Sequence, residues 1–136
     1  MTQRLFTLPE ANALLAEIRP AAERMVDLRR HHLEAIDRRD ALEARIGSNG
    51  GGITRADVAA LETEVEQIEA ALAAVIDSIL SAGVQVKDIE AGLLDFPSQR
   101  DDEIVLLCWR VGEDEIEFWH RQEEGFAGRK PVDPVE

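Results

Sequence analysis

Two long apolar stripes, separated by a glycine-rich segment, constrain the fold of this chain more than any other feature. The first stripe repeats in steps of three and four from Leu14 to Leu28 and resumes at Leu42 and Ile46. The second alternates steps of three and four from Val58 to Ala82. Between them, four of the six residues 47–52 are glycine. This pattern predicts a long antiparallel helical hairpin with coiled-coil packing.

Capping signals place the helix ends. Thr7 and Glu10 have the spacing of a capping box, and Thr54 stands as an N-cap three residues before Asp57. Gly83 follows the last apolar position and predicts a left-handed C-terminal cap. The first helical arm is therefore assigned to residues 7–46 and the second to residues 54–82.

Pro20 falls inside the first stripe. Proline removes a backbone donor and clashes with the preceding turn. We expect either a kink near Pro20 or a break that divides the arm into a short and a long helix. Of the two, a single helix kinked near Pro20 is the expectation.

The hydrophobic period changes after Gly83. Val84 and Val86 alternate with polar neighbours, residues 92–97 resemble a short strand stopped by Pro97, and residues 104–111 form the strongest strand candidate. A turn at residues 112–114 leads into residues 115–120, for which strand and helix both remain open. The chain is thus predicted to be α+β, a single domain over residues 1–136. A small antiparallel sheet of about three strands occupies residues 84–129, and residues 130–136 form a flexible tail.

The strand candidate 104–111 is apolar almost throughout, which predicts burial on both faces. The hairpin covers only one face, so the tail or a second subunit must cover the other. The far end of a single hairpin also leaves much of its stripes exposed. A homodimer is the expected assembly.

Composition excludes several classes of partner. The formal net charge is −13, which argues against nucleic acid and anionic membrane surfaces as partners. No apolar run approaches the length of a membrane span, and the N-terminus lacks the layout of a signal peptide. Cys108 is the only cysteine, so no internal disulfide forms. A cytoplasmic location is expected.

Aromatic and basic residues gather near the C-terminus. We predict a ligand-binding site made of Trp109, Arg110, Trp119, His120 and Arg129. An arginine at the end of a buried strand needs a partner. For Arg110 the open alternatives are a ligand carboxylate or phosphate and three side chains of the chain: Asp95, Glu115 and Glu117.

Other chemistry in this region is weighed against plainer interpretations. His120 would serve as a metal ligand with Asp95, Cys108 or Glu117 as companions, although no metal or cofactor is predicted. We interpret Cys108 as a small buried apolar residue rather than a catalytic thiolate, because it lies in an apolar strand. Residues 125–129, with two glycines, favour a plain turn over a backbone nest for a small anion. No catalytic residue is assigned.

Several segments together resemble the prokaryotic family called domain of unknown function 2203. They are Phe6–Leu15 at the start, then Gly92–Ser98, Leu107–Arg110, Glu115–Ile116 with Trp119–His120, and Gly125–Arg129. The resemblance runs from about Phe6 to Arg129. It implies a small cytoplasmic bacterial protein and brings no established activity.

Two hypotheses of function follow. The favoured one is a non-enzymatic module that self-associates or docks a partner through the hairpin, with a C-terminal region that is structural or binds a small anion. The alternative is a small enzyme or metal-dependent protein with its site around Arg110 and His120.

Overall fold

Two helices and a five-stranded sheet make up the fold in a computed structural model that describes residues 3–47, 52 and 54–132. The helices are α1 (Leu8–Gly47) and α2 (Arg55–Ser81). The strands are β1 (Gln85–Asp88), β2 (Leu93–Arg100), β3 (Glu103–Arg110), β4 (Phe118–Arg121) and β5 (Lys130–Pro131), with a short 3-10 helix at Phe126–Gly128 between the last two. The α+β class and the hairpin are confirmed. The sheet has five strands rather than about three.

The predicted helix ends are present. The Thr7 amide donates to Glu10 Oε1 at 2.8 Å and the Glu10 amide donates to Thr7 Oγ1 at 3.2 Å. Thr54 and Asp57 form a second capping box. Gly83 follows α2 with a φ of +92°. Of the loop predicted at residues 47–52, Gly47 belongs to α1, and residues 48–51 lie outside the described residues.

The two helices run antiparallel. Arg38 Nη2 lies 3.1 Å from Glu64 Oε1, and His32 Nε2 lies 3.3 Å from Glu69 Oε1. As the residue number rises on one helix it falls on the other, as an antiparallel register requires. α1 continues through Pro20 without interruption, so the alternative of two separate helices is wrong. None of the described helices has the length and apolarity needed to cross a membrane.

The sheet is an antiparallel meander in the order β1-β2-β3-β4-β5. Residues 115–120, left open between strand and helix, contribute β4. Lys130 and Pro131, placed in the tail by the sequence, form β5 beside β4, with Trp119 paired to Lys130. A strand of two residues that includes a proline carries no periodic signal, which is why the sequence did not reveal it.

Pro97 lies inside β2, so the predicted strand end at this residue is wrong. β1 pairs with β2 only as far as Asp95. At Pro97, the edge of β2 that faces away from β3 has no partner strand among the described residues. Proline lacks an N–H on this edge, and its carbonyl accepts from the Phe6 amide at 2.7 Å. The missing donor therefore breaks no ladder hydrogen bond.

One face of the sheet packs on the helices, and its side chains come from alternate positions of β2, β3 and β4. This core contains Leu94, Phe96, Val105, Leu107, Trp109 and Trp119 from the sheet, with Leu15, Met25 and Ile79 among the helical residues. α1 also holds the turn after β3. The Arg19 guanidinium donates to the Glu113 carbonyl at 2.9 Å and to the Asp114 carbonyl, and Asn12 Oδ1 accepts from the Ile116 amide at 2.8 Å.

Gly92 and Gly112 provide a matched test of this packing. Both have positive φ, +67° and +106°. A Cβ on Gly92 would lie 2.3 Å from Val111 Cγ2, whereas a Cβ on Gly112 would meet nothing within 4 Å. Gly112→Ala should therefore cost only the backbone strain, about 1 kcal/mol, and Gly92→Ala about 3 kcal/mol because a clash is added. Urea unfolding of both variants measures this, and equal losses would contradict the packing described.

Candidate functional site

The sheet face turned away from the helices carries a buried polar cluster. Asp95 and His120 are 1% and 3% exposed, and Cys108 is fully buried. The C-terminal segment lies over part of this face. The Arg129 guanidinium stacks 4.2 Å from the Phe118 ring centre and 4.5 Å from that of Phe126. The sequence leaves the tail and a second subunit open as the cover of this face. In the described chain, the tail covers part of it.

Strand register brings the cluster together. Asp95 in β2 pairs with Cys108 in β3, and Cys108 pairs with Phe118 in β4, two residues before His120. Residues two apart on a strand share a face, so His120 lies diagonally across from Cys108. One ligand atom from each of the three side chains lies within 4.8 Å of the others. We call Asp95, Cys108 and His120 the β-face triad.

The imidazole of His120 is fixed by hydrogen bonds at both nitrogens. Nδ1 lies 2.8 Å from the Arg121 carbonyl oxygen, and because a carbonyl only accepts, Nδ1 carries a proton. Nε2 lies 3.2 Å and 3.1 Å from the two carboxylate oxygens of Asp95. A single proton between Nε2 and Asp95 satisfies this contact, and the pair links β4 to β2 above β3.

The third member, Cys108, does not carry nucleophilic chemistry here. Burial, followed by the negative charge of Asp95, raises the pKa of the Cys108 thiol to about 12. At neutral pH the thiol is therefore protonated, and no solvent reaches it. A catalytic thiolate needs a lowered pKa and access, and Cys108 has neither.

The five residues predicted to bind a ligand do not form one cluster. Trp109 and Trp119 belong to the core between sheet and helices, and Trp109 Nε1 donates to the Glu113 carbonyl at 3.0 Å. His120 is buried on the opposite face. The sheet itself thus separates the tryptophans from the histidine, and a ligand-binding role for the set stays a prediction.

Arg110 is exposed, so its predicted burial is wrong. Its guanidinium lies 5.7 Å from the Phe126 ring centre, and none of the predicted carboxylates is its partner among the described ion pairs. Arg129, by contrast, is largely covered. Its Nη2 lies 2.7 Å and 2.9 Å from the two oxygens of Glu113, with side chains 12% and 26% exposed. Arg110 shares the face of Cys108, but it is the last residue of β3 and its side chain is exposed there.

Residues 125–129 form a 3-10 turn, as the plainer interpretation expects. The Gly128 amide donates to the Gly125 carbonyl at 2.8 Å, and the Arg129 amide donates to the Phe126 carbonyl at 3.2 Å. The backbone donors of an anion nest are thus already engaged at these two positions.

The sequence predicts Asp95 only as a companion of Arg110 or His120, yet its carboxylate is a member of the buried polar cluster. The available signal was a lone carboxylate between Leu94 and Phe96 in an apolar strand, since a buried charge requires a partner. Its partner, however, lies 25 residues away in sequence. No spacing rule links them, because the register of three strands decides the contact. Glu113, the partner of Arg129, gave no signal at all.

Comparison with known proteins yields one match. A family model described as "Uncharacterized conserved protein (DUF2203)" matches residues 4–132, nearly the whole chain, and confirms the resemblance read from the sequence. No curated protein and no solved structure matches the chain. The family description states no activity, so function has to be argued from the geometry.

The contrast between Arg129 and Arg110 gives a stability test. Arg129→Ala should lower the free energy of unfolding by about 2–3 kcal/mol, because Glu113 loses its partner and two rings lose their stacking. Arg110→Ala, at an exposed position, should change it by less than about 0.5 kcal/mol. Chemical denaturation of the two variants compares them directly. A larger loss for Arg110→Ala would reverse the assignment.

Thiol labelling tests the state of Cys108. Because the thiol is buried and its pKa is raised, an aromatic disulfide reagent should label native protein at least about a hundredfold more slowly than unfolded protein. Ala127→Cys in a Cys108→Ala background places a thiol on the exposed turn and should react rapidly. Fast labelling of native Cys108 would contradict the buried thiol.

Proposed function

This chain belongs to the domain of unknown function 2203 family, and we propose that it is a non-enzymatic module that self-associates through the outer half of its helical hairpin. We define the distal hairpin as residues 33–47 of α1 and 55–67 of α2. The proposed partner is a second copy of the chain.

The observation that carries the proposal is the incomplete burial of the distal hairpin. The apolar core shared with the sheet ends at Leu28 on α1 and at Leu72 on α2. Beyond it, the fully buried residues are Ala35 and Val65. The other large apolar side chains lie in the apolar stripe of each helix, which we call its seam. They are half-buried: Ile36, Leu42, Ile46, Val58 and Leu61. Leu33 is 40% exposed.

Two helices cannot bury their own apolar stripes. An apolar stripe on a helix of a globular protein spans a third or more of the surface, and one neighbouring helix covers only part of it. Residues 33–47 extend about 22 Å along α1, enough for several turns of contact. A second hairpin, laid against the first by a twofold axis, would complete a four-helix bundle and cover both seams with the same surface.

Charge opposes this assembly, and the opposition gives it a signature. Each chain carries a formal net charge of −13, so two copies repel one another. Salt screens exposed charges over about 10 Å at 0.1 M ionic strength and leaves apolar contact intact. Association driven by the half-buried seams should therefore strengthen as salt is added.

The proposal does not extend to a small-anion site. Two amides of the 3-10 turn donate within the turn, and Arg129 is paired with Glu113. The alternative of a metal-dependent protein has one observation in its favour, the β-face triad. A cytoplasmic location and the absence of nucleic-acid partners remain predictions from composition.

Light scattering after size exclusion tests the proposal. The wild type should elute with twice the mass of one chain at high micromolar concentration. Leu33→Glu should shift the equilibrium toward monomer by at least about tenfold, because a charge enters the apolar contact. Leu80→Glu changes a side chain that is 51% exposed at the other end of α2, and should leave the mass unchanged.

A wild type that stays monomeric would contradict self-association. A dimer weakened by Leu80→Glu and not by Leu33→Glu would contradict a contact through the distal hairpin and place it at the end of the hairpin near the sheet. A dimer weakened rather than strengthened by salt would identify ion pairs, not the apolar seams, as its basis.

A further inference from the structure

We propose that the β-face triad binds a transition-metal dication of the zinc class, with Asp95, Cys108 and His120 each supplying one ligand. The inference is independent of self-association, because the distal hairpin lies outside the core that borders the sheet. It assigns a role to three buried polar groups that the proposed function leaves unexplained.

The donor set is the first argument. A carboxylate oxygen, a thiolate sulfur and an imidazole nitrogen are the ligand types that zinc takes in proteins. Calcium and magnesium prefer oxygen donors alone, so the sulfur and nitrogen argue against them. Each of the three residues offers one such atom, and the described residues contain no other group of three potential ligands this close together.

The spacing is the second argument. Bonds of about 2.0 Å to nitrogen and oxygen and about 2.3 Å to sulfur place tetrahedral ligands roughly 3.3–3.8 Å apart. In the triad, His120 Nε2 and Asp95 Oδ2 lie 3.1 Å apart, and all three ligand atoms fall within 4.8 Å of one another. Side-chain rotations that move the ligand atoms by about an ångström would bring their separations into the range of a zinc site.

The orientation of His120 is the third argument. A metal-binding histidine commonly donates its remote N–H to a carbonyl or carboxylate, which fixes the tautomer and directs the other nitrogen at the metal. Nδ1 of His120 donates to the Arg121 carbonyl at 2.8 Å. Nε2 is therefore the nitrogen that faces Asp95 and Cys108, as coordination requires.

The charge balance is the fourth argument. Metal binding would release the Cys108 thiol proton and the proton between His120 and Asp95. Two anionic ligands and a neutral imidazole then neutralise a dication, which suits a buried site. Arg129 is the nearby cation, with Nη2 3.3 Å from the Cys108 carbonyl oxygen. Its charge is offset by Glu113 at 2.7 Å, so the region around the triad does not present an unpaired positive charge to the metal.

Burial indicates what the metal would do. The three ligands come from three neighbouring strands and are at most 3% exposed. No substrate reaches such a position, and we infer that the ion fastens β2, β3 and β4 rather than carrying out a reaction. A water molecule enclosed with the ion during refolding would take the fourth position. Loading would accompany folding, since metal affinity of this kind is coupled to the folding free energy.

The experiment refolds the full chain from denaturant with a small excess of zinc or with a chelator. After free metal is removed, plasma mass spectrometry should find one zinc ion per chain. Zinc should also raise the midpoint of thermal unfolding. Cys108→Ala and Asp95→Asn should each lower zinc affinity by more than about tenfold and abolish the thermal shift.

His32→Gln is the matched control, because His32 is also partly buried and carboxylate-paired but lies in the hairpin. It should retain the full zinc stoichiometry. Cobalt supplies a readout on the unmutated chain. With one cysteine in the sequence, a thiolate-to-cobalt charge-transfer band can arise only from Cys108.

Three outcomes would overturn the proposal. A wild type that binds no zinc after refolding would show that the triad is a purely hydrogen-bonded link between strands. Equal zinc binding by wild type and Cys108→Ala would place the ion elsewhere. A cobalt complex without the charge-transfer band would exclude Cys108 as a ligand. These readouts do not depend on the oligomeric state. A chain that binds no zinc would therefore not contradict self-association.

Discussion

The fold depends on the burial of β3 on both faces. Residues Val105–Trp109 are all buried, which places the centre of this strand between two layers. A central strand with no solvent-facing side needs a cover above and below, and each cover has to hold its place. The helical hairpin supplies the first cover and the C-terminal segment supplies part of the second. The arrangement of every other element follows from these two requirements.

The two faces of β3 are chemically different because side chains alternate along a strand. The face toward the helices is apolar and includes Trp109, whose indole N–H finds the Glu113 carbonyl. The other face carries Cys108 between Asp95 and His120. An apolar core is held by packing alone, whereas buried polar groups require directed partners. The second face therefore depends on directed hydrogen bonds as well as on packing.

The hairpin has a corresponding division along its length. Its inner half shares a core with the sheet, through residues such as Met25 and Ile79. Its outer half has only the two helices to bury its stripes, and most of its large apolar side chains remain half-buried. Among the described residues, this outer half has no further layer packed against it, and its apolar surface stays partly exposed. That surface and the β-face triad are at separate places in the molecule, so assembly and metal binding can be tested apart.

The sequence by itself determined the features that depend on neighbours along the chain. The hydrogen bonds of Thr7 with Glu10 span three residues, and the helical stripes repeat every three or four residues. Local spacing in the sequence therefore predicts both features. The apolar run of β3 was equally clear. What only the tertiary structure decided is which distant residues meet. It paired the partly buried Arg129 with Glu113 and left Arg110 exposed, and it joined Asp95 to His120 across β3. Such contacts are set by strand register, where a shift of one residue turns every side chain to the other face, and no local spacing in the sequence encodes that choice.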